Sequence, residues 1–371
     1  MSLGDPDDLR FMSLALALGR RGLGQVWPNP AVGAVIVRAQ QSAAVIVGRG
    51  WTQPGGRPHA EVEALRRAGA AARGATLYAT LEPCSHHGKT PPCVDAIMAA
   101  GVARVVSAIE DPNPKIAGEG HARLRSQGVA VDVGIGADEA RRAHAGHIRR
   151  VRDCRPHVTL KLAVSADGKA GLAGRRPAAI TGELARARVH MMRAMNDAVL
   201  TGIGTVLSDD PLLTCRLPGM DARSPVRVVL DSGLRLPEAS KLVHSATHTL
   251  DWVFVDESAK PDREAALSEA GVELLRVPGT HGKLDLAAVL RALAGRGITR
   301  VMVEAGPILS AAFLAADLVD EAVLFRSPAA IGEGIDALEG MPLSALTLSP
   351  RLRLVGGEQI GSDTVQMYER K

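Results

Sequence analysis

His59 and Glu61 stand two residues apart in "PHAEVEAL", and Cys84 and Cys93 flank the eight residues of "SHHGKTPP". A catalytic zinc takes three protein ligands and keeps a fourth position open for water. His59, Cys84 and Cys93 make such a set, and Glu61 remains as a carboxylate beside that water. His59 and Cys93 fall where helices are expected to begin, and helix N-termini favour the thiolate form of cysteine. Water activated in this way becomes a nucleophile near neutral pH. A glutamate that takes its proton and returns it to a leaving amine completes a deaminase. The order His-x-Glu, then Pro-Cys, then a second Cys is a zinc deaminase signature, apart from the long gap between the cysteines. A structural zinc would instead recruit His86 or His87 as a fourth ligand, and Glu61 would then have no task.

These residues need an α/β frame to bring them together. "AVGAVIV" (31–37) and "AAVIVGRG" (43–50) are predicted strands, and residues 59–72 have apolar positions at helical spacing. A strand over 75–80, a helix over 91–101 with Pro near its start and Gly at its end, a strand over 102–109, a helix near 118–127 and a strand over 129–135 follow. The pattern predicts a three-layer α/β unit of about five strands. A charged helix over 137–156 leads to a domain boundary near 152, giving expected domains 1–152 and 153–371. Beyond it, strands are expected at 157–168, 197–204, 226–232, 250–256, 272–278, 299–306 and 320–327. Helices are expected over 182–195, 284–295 and 307–316, and a closing hairpin over 351–370.

The 371 residues suit two domains of ordinary size. No run reaches the roughly 18 apolar residues that a bilayer span needs, and four cysteines are too few for a disulfide scaffold. No secretory signal is expected from "DPDDLRFMSLALALG", and a cytoplasmic location is expected. Residues 1–152 carry 19 Lys and Arg against 13 Asp and Glu; the remainder carries 25 against 27. A basic first half attracts an anionic partner. With aromatics at 2%, stacking platforms for single-stranded nucleic acid are sparse, so a phosphorylated small molecule fits better.

"WPNPAVGAVIV", "PHAEVEAL", "TLEPCSHHGKTPPCVDAI" and "DPNPKIAGEG" together resemble the deaminase half of the bifunctional riboflavin biosynthesis proteins, a family joining a pyrimidine deaminase to a uracil reductase. The long insert between the cysteines is characteristic of that family. The resemblance implies a cytidine-deaminase-like α/β/α domain binding one Zn2+ through His59, Cys84 and Cys93, with Glu61 as proton shuttle. It also implies substrate contacts from Asn29 and from the segment containing His86 and Lys89.

Residues 156–371 are similar to the same family's reductase domain, which has a dihydrofolate-reductase-like α/β fold. The matching stretches are "LKLAVSADGK", "AVLTGIGTVLSDDPLLTCR", "RVVLDS" and "VEAGPILSAAFL". "GIGTVL" lacks the third glycine and acidic partner of a Rossmann fingerprint, whereas "VEAGP" at a strand end can hold a phosphate on the following helix N-terminus. The resemblance implies NADPH contacts from Ala163, Ala179, Thr205, Asp209, Ser232 and the turn Gly306, Pro307, Ile308, Leu309, Ser310, Ala311 and Ala312. It implies substrate contacts from Pro177, Arg193, Leu213, Arg216 and Glu304. Asp209 and Asp210 also read as turn or cap residues ahead of Pro211. Glu304 and Lys161 are candidates for a proton or positioning role.

Two departures stand out. Relatives carry a Ser-x-Trp-Ile-Thr run where this chain has Pro177-Ala178-Ala179-Ile180-Thr181, and an Ala-Pro-Lys-Leu-Leu-Gly run where it has "SPAAIGEG" (327–334). A hydroxyl and an aromatic wall are missing, leaving Pro177 and Ala179 backbone or packing roles. The expected enzyme deaminates a phosphoribosylaminopyrimidine and then reduces its ribosyl group, with neither nucleic acid nor membrane as partner and as a homo-oligomer, dimer or tetramer. The alternatives are a nucleic-acid deaminase with an appended binding domain, a deaminase with a degenerate reductase site, or a non-catalytic zinc module.

Overall fold

The computed structural model describes residues 6–39, 44–175 and 179–371, in two compact units, Met1–Cys154 and Arg155–Lys371. In the first unit, helix α1 (Pro6–Gly19) precedes strands β1 (Gly33–Ala39) and β2 (Ala44–Trp51), helix α2 (Ala60–Ala68) and strand β3 (Thr76–Ala79). Then come α3 (Cys93–Ala99), β4 (Arg104–Ser107), α4 (Glu119–Ser126), β5 (Ala130–Val133), α5 (Ala137–Ala143) and α6 (Ala145–Asp153). The five strands form one sheet in the order β2-β1-β3-β4-β5, antiparallel from β2 to β3 and parallel from β3 to β5.

Gly33–Val37 are buried without alternation, so both faces of β1 are covered. Helices α1 and α5 contact one another, and α2, α3 and α4 pack in succession, giving the expected three layers. Helix α2 lies directly on β2 because two glycines there carry no side chain. A Cβ on Gly48 would sit 2.3 Å from the Ala64 carbonyl oxygen, and one on Gly50 2.4 Å from that of Ala60. This close crossing fixes the start of α2, where His59 and Glu61 stand. Helix α1 was not anticipated as an element: its apolar run "FMSLALALG" places Phe11, Met12, Ala15 and Leu16 in the core. The single charged helix expected over 137–156 divides into α5 and α6 at His144, whose buried imidazole Nε2 lies 3.0 Å from the Thr80 hydroxyl.

The second unit holds β6 (His157–Val164), β7 (Lys169–Leu172), α7 (Glu183–Met195), β8 (Ala198–Gly202), α8 (Ile203–Asp209), β9 (Val226–Leu230), α9 (Lys241–His244) and β10 (Asp251–Asp256). It continues with α10 (Glu264–Glu269), β11 (Val272–Val277), β12 (Gly279–Thr280), β13 (Lys283–Leu284), α11 (Leu286–Gly295), β14 (Arg300–Val303), α12 (Pro307–Ala315) and β15 (Glu321–Arg326). Strand β16 (Gly334–Asp336), α13 (Ser344–Thr347) and the hairpin β17 (Leu352–Ile360) and β18 (Asp363–Arg370) complete it. Nine strands pair in the order β11-β10-β9-β8-β14-β6-β15-β18-β17; those from β11 to β15 are parallel and the closing hairpin is antiparallel. The strand expected over 197–204 stops at Gly202, which caps α8; the apolar run there serves a strand and then a helix. The strand expected over 157–168 ends at Val164, where a turn leads into β7. In parallel sheets, ligands gather beyond the carboxyl ends of strands. Glu304 follows β14, Ile203 follows β8 and Ser232 lies just past β9.

Candidate active sites

In the first unit, His59 caps α2 in an extended conformation and Cys93 is the first residue of α3. Cys84 lies in the loop after β3, and its sulfur accepts the Cys93 backbone N–H at 3.2 Å. The ligand atoms of His59, Cys84 and Cys93 all lie within 4.8 Å of one another. His59 Nδ1 is 3.2 Å from Cys93 Sγ and 3.6 Å from Cys84 Sγ. Tetrahedral zinc, at about 2.3 Å from sulfur and about 2.0 Å from nitrogen, sets such pairs about 3.5 Å apart. One imidazole and two thiols at this spacing therefore fit a zinc ion. Neither His86 nor His87 belongs to the cluster, and both are exposed.

The charges in this site follow from burial and contact. A hydrogen bond from the Cys93 thiol holds the Cys84 thiol far down, to about 4, against the effect of burial, with His59 and then the Cys93 backbone N–H assisting. The same bond and burial push the Cys93 thiol up, and the contact with Cys84 raises His59. Glu61, in the first turn of α2 and 3% exposed, is pushed up to about 7 by burial, with His59 opposing.

Asn29 is half-buried, and its amide donates to the Gly56 carbonyl at 3.3 Å. A Cβ on Gly56 would lie 1.8 Å from the Asn29 amide nitrogen, so a glycine is needed for the side chain to lie there. Lys89 is exposed like His86, on a loop tied to Arg57 through Thr90. Two further acids lie nearby. Asp111 accepts the Asn113 N–H at 2.8 Å; burial raises its carboxyl, and both His86 and Cys84 act on it electrostatically. Glu82 is buried as well.

In the second unit, Arg193 of α7 and Glu304 form a two-pronged pair, with Nε to Oε2 at 2.9 Å and Nη2 to Oε1 at 2.7 Å. Arg193 Nη1 also donates to the Thr214 carbonyl at 3.0 Å. Burial favours the neutral acid at Glu304, but Arg193 and Lys161 outweigh it and hold the carboxyl low. Lys161 Nζ stands 4.0 Å from Glu304, and burial pulls its ammonium below the ordinary range with Glu304 opposing. His190, one helical turn before Arg193, reaches the same loop: its Nδ1 lies 3.1 Å from the Thr214 carbonyl oxygen and 3.3 Å from the Arg216 amide nitrogen. Burial, then Arg193 and Arg216, keep this imidazole below its usual range. His190 was not singled out in the sequence; its position three residues before Arg193 was the available signal.

Leu213 is buried in the core and its backbone has φ 54°, a conformation that a branched side chain rarely adopts. Asp210 caps α8 with φ 40° and accepts the Lys241 N–H at 2.9 Å, while Asp209 takes a 2.5 Å bond from Ser208. Thr205 and Gly306 meet, the Gly306 N–H donating to the Thr205 hydroxyl at 3.2 Å. Ser310 is fully buried with its hydroxyl on the Ala305 carbonyl at 3.2 Å, and Ala311 is buried beside it. Pro307, Leu309 and Ala312 are half-buried and Ile308 is exposed. Ser232 donates to the Gly282 carbonyl at 2.7 Å, Ala163 pairs with Phe325 across β6 and β15, and Ala179 is exposed. Pro177 lies outside the described residues.

Residues 5–109 match the cytidine and deoxycytidylate deaminase zinc-binding region, and residues 156–366 match the RibD C-terminal domain. Riboflavin biosynthesis protein RibD of Escherichia coli K12 is 40% identical over 368 residues, spanning 96% of this chain and 97% of that protein. RibD of Aquifex aeolicus is 38% identical over 98% of each chain. A solved Acinetobacter baumannii RibD superposes with a TM-score of 0.84 at 37% identity, over 98% of this chain and 99% of its own. A deaminase/reductase structure from Thermotoga maritima gives a TM-score of 0.84 at 35% identity, with the same coverage. The chain therefore belongs to the RibD family of bifunctional riboflavin biosynthesis proteins, joining a zinc-type deaminase domain to an NADPH-type reductase domain.

Proposed function

We propose that the chain carries out two successive steps on one phosphoribosylaminopyrimidine. The first converts 2,5-diamino-6-(5-phosphoribosylamino)pyrimidin-4(3H)-one to 5-amino-6-(5-phosphoribosylamino)uracil with release of ammonia. The second reduces the ribosyl group of that product to ribityl. The observation carrying this reading is the tight group of His59, Cys84 and Cys93 with buried Glu61 in the adjoining helical turn.

Zinc, when bound, supplies Lewis-acid activation of the hydrolytic water. His59, Cys84 and Cys93 hold the ion, and Glu61 carries the proton from water to the departing amine through its carboxylate oxygens. Burial raises the Glu61 carboxyl above the usual range, which suits a group that both accepts and returns a proton. Asn29, His86 and Lys89 face the pyrimidine or its phosphate. In the reductase half, NADPH supplies hydride to the sugar carbon. The backbone of 306–309 at the start of α12, with Thr205, Asp209, Ser232, Ala163 and Ala179, holds the cofactor. Ser310, Ala311 and Ala312 support that turn from behind. Arg216 binds the sugar phosphate, and Arg193 and Glu304 act as a fixed pair that orients the substrate. Leu213 acts through the shape of its loop.

A homo-oligomer, dimer or tetramer, belongs to the same proposal. Strand β17 lies at the sheet edge and exposes Leu354 and Val355, a surface suited to self-association. Among the described residues no helix is long and apolar enough to cross a membrane. A cytoplasmic location suits Cys84 and Cys93, which must stay reduced to bind metal. The deciding comparison is ammonia release by zinc-loaded protein from the small pyrimidine, from tRNA and from single-stranded DNA. Turnover of the pyrimidine alone is expected; turnover of nucleic acid alone would reject the reading.

A further inference from the structure

Glu82 is 6% exposed and lies two residues before Cys84. Its carboxylate collects four backbone N–H groups: Oε2 accepts from Asp111 at 3.0 Å and Gly118 at 2.9 Å, and Oε1 from Gly120 at 2.8 Å and His121 at 3.3 Å. Its own N–H donates to the Ile109 carbonyl at 2.9 Å. An ionised carboxylate only accepts hydrogen bonds, so it suits a site lined by amide donors. The approach is close enough to require glycine. A Cβ on Gly120 would lie 2.2 Å from the Pro83 carbonyl oxygen and 3.1 Å from Glu82 Oε1.

The segment gathered in this way reaches both cysteines. Arg123 of α4 donates through Nη1 to the Ser85 carbonyl at 3.3 Å and through Nη2 to Asp95 at 2.5 Å. Ser85 follows Cys84, and Asp95 stands two residues after Cys93. The Ser85 hydroxyl also lies 3.4 Å from a Glu119 carboxylate oxygen. One helix thus bridges the two sulfur-bearing segments, and Glu82 anchors the chain that leads into it.

We infer that Glu82 is a positioning residue of the deaminase centre, fixing segment 111–121 and, through Arg123 of α4, the placement of Cys84 and Cys93. This rests on the deaminase reading of that centre. Replacing the carboxylate by an amide turns a donor toward two amide N–H groups without changing the volume of the side chain. The test uses Glu82→Gln and Gly120→Ala in the full-length chain. Cobalt(II) replaces zinc, because its visible absorption reports the geometry of thiolate ligation.

Glu82→Gln is expected to bind one cobalt per chain with an altered visible spectrum and to release ammonia at least tenfold more slowly. NADPH oxidation on the deaminated pyrimidine should stay at the wild-type rate, since the reductase is a separate unit. Wild-type ammonia release would overturn the inference, as would slow release with an unchanged cobalt spectrum. If Glu82→Gln loses metal or both activities, Gly120→Ala decides. The altered spectrum and tenfold loss in that variant support the inference, and wild-type behaviour overturns it. Failure of the wild-type chain to release ammonia would instead reject the function reading, while the cobalt spectra of the variants would still test the positioning role.

Discussion

Arg193 and Glu304, far apart in sequence, meet through two parallel hydrogen bonds of 2.9 and 2.7 Å beside the carboxyl ends of β8 and β14. Arg193 is 8% exposed, and a third bond joins it to the Thr214 carbonyl. Removing one partner of a buried pair leaves the other charge uncompensated, at a cost of about 3–5 kcal/mol. Arg193→Ala should therefore lower the denaturation midpoint of the reductase unit as well as its activity. Arg193→Lys should not restore NADPH oxidation, because an ammonium cannot reproduce the planar fork. Denaturant unfolding and NADPH oxidation, measured on both variants, check this.

Glu61→Gln keeps the side-chain volume but cannot carry a proton. Ammonia release should fall about a hundred- to ten-thousand-fold, the usual contribution of a positioned acid or base. Zinc content, measured by atomic emission, should remain one per chain. Retained activity would remove Glu61 from its assigned role.

Metal removal should separate the two halves. A chelator should abolish ammonia release and leave NADPH oxidation on the deaminated substrate unchanged, because His59, Cys84 and Cys93 all lie in the first unit. Added zinc should restore the first activity. A parallel loss of both would show that the metal supports more than the deaminase.

Asp8 gives a stability effect with a defined pH direction. Its carboxylate accepts from Arg104 at 2.9 and 2.8 Å and from the Tyr78 hydroxyl at 2.6 Å, and the Arg104 bonds hold it below the usual range despite burial. The unfolded chain therefore binds a proton at Asp8 before the folded chain does as pH falls. The stabilisation is fully present above the unfolded value of about 4. It is lost as pH drops through the lower folded value. Urea midpoints at pH 6 and pH 3 should converge between wild type and Asp8→Asn at the lower pH, with wild type the more stable at pH 6.

The metal-ligand group was legible in the sequence because its residues sit in short, ordered motifs, His59 and Cys93 at the starts of helices and Cys84 in the loop after a strand. His59 and Cys93 need only local structure to point inward, and the sheet order supplies the rest. The bonds of Glu82 were not legible, since they join a side chain to backbone amides 29 to 39 positions away, and amides carry no sequence signature. The same holds for the contact of His190 with the loop at Thr214, which depends on a left-handed backbone at Leu213 that its residue type does not announce. Strand limits were blurred where one apolar run feeds two elements, as at Gly202 between β8 and α8.

The most direct test follows ammonia and NADPH together in one reaction, with purified zinc-loaded chain and the diaminopyrimidine substrate. Ammonia should appear first and NADPH should then be consumed in equal amount. Ammonia release with no NADPH oxidation, even on added deaminated product, would contradict the account of a working second site.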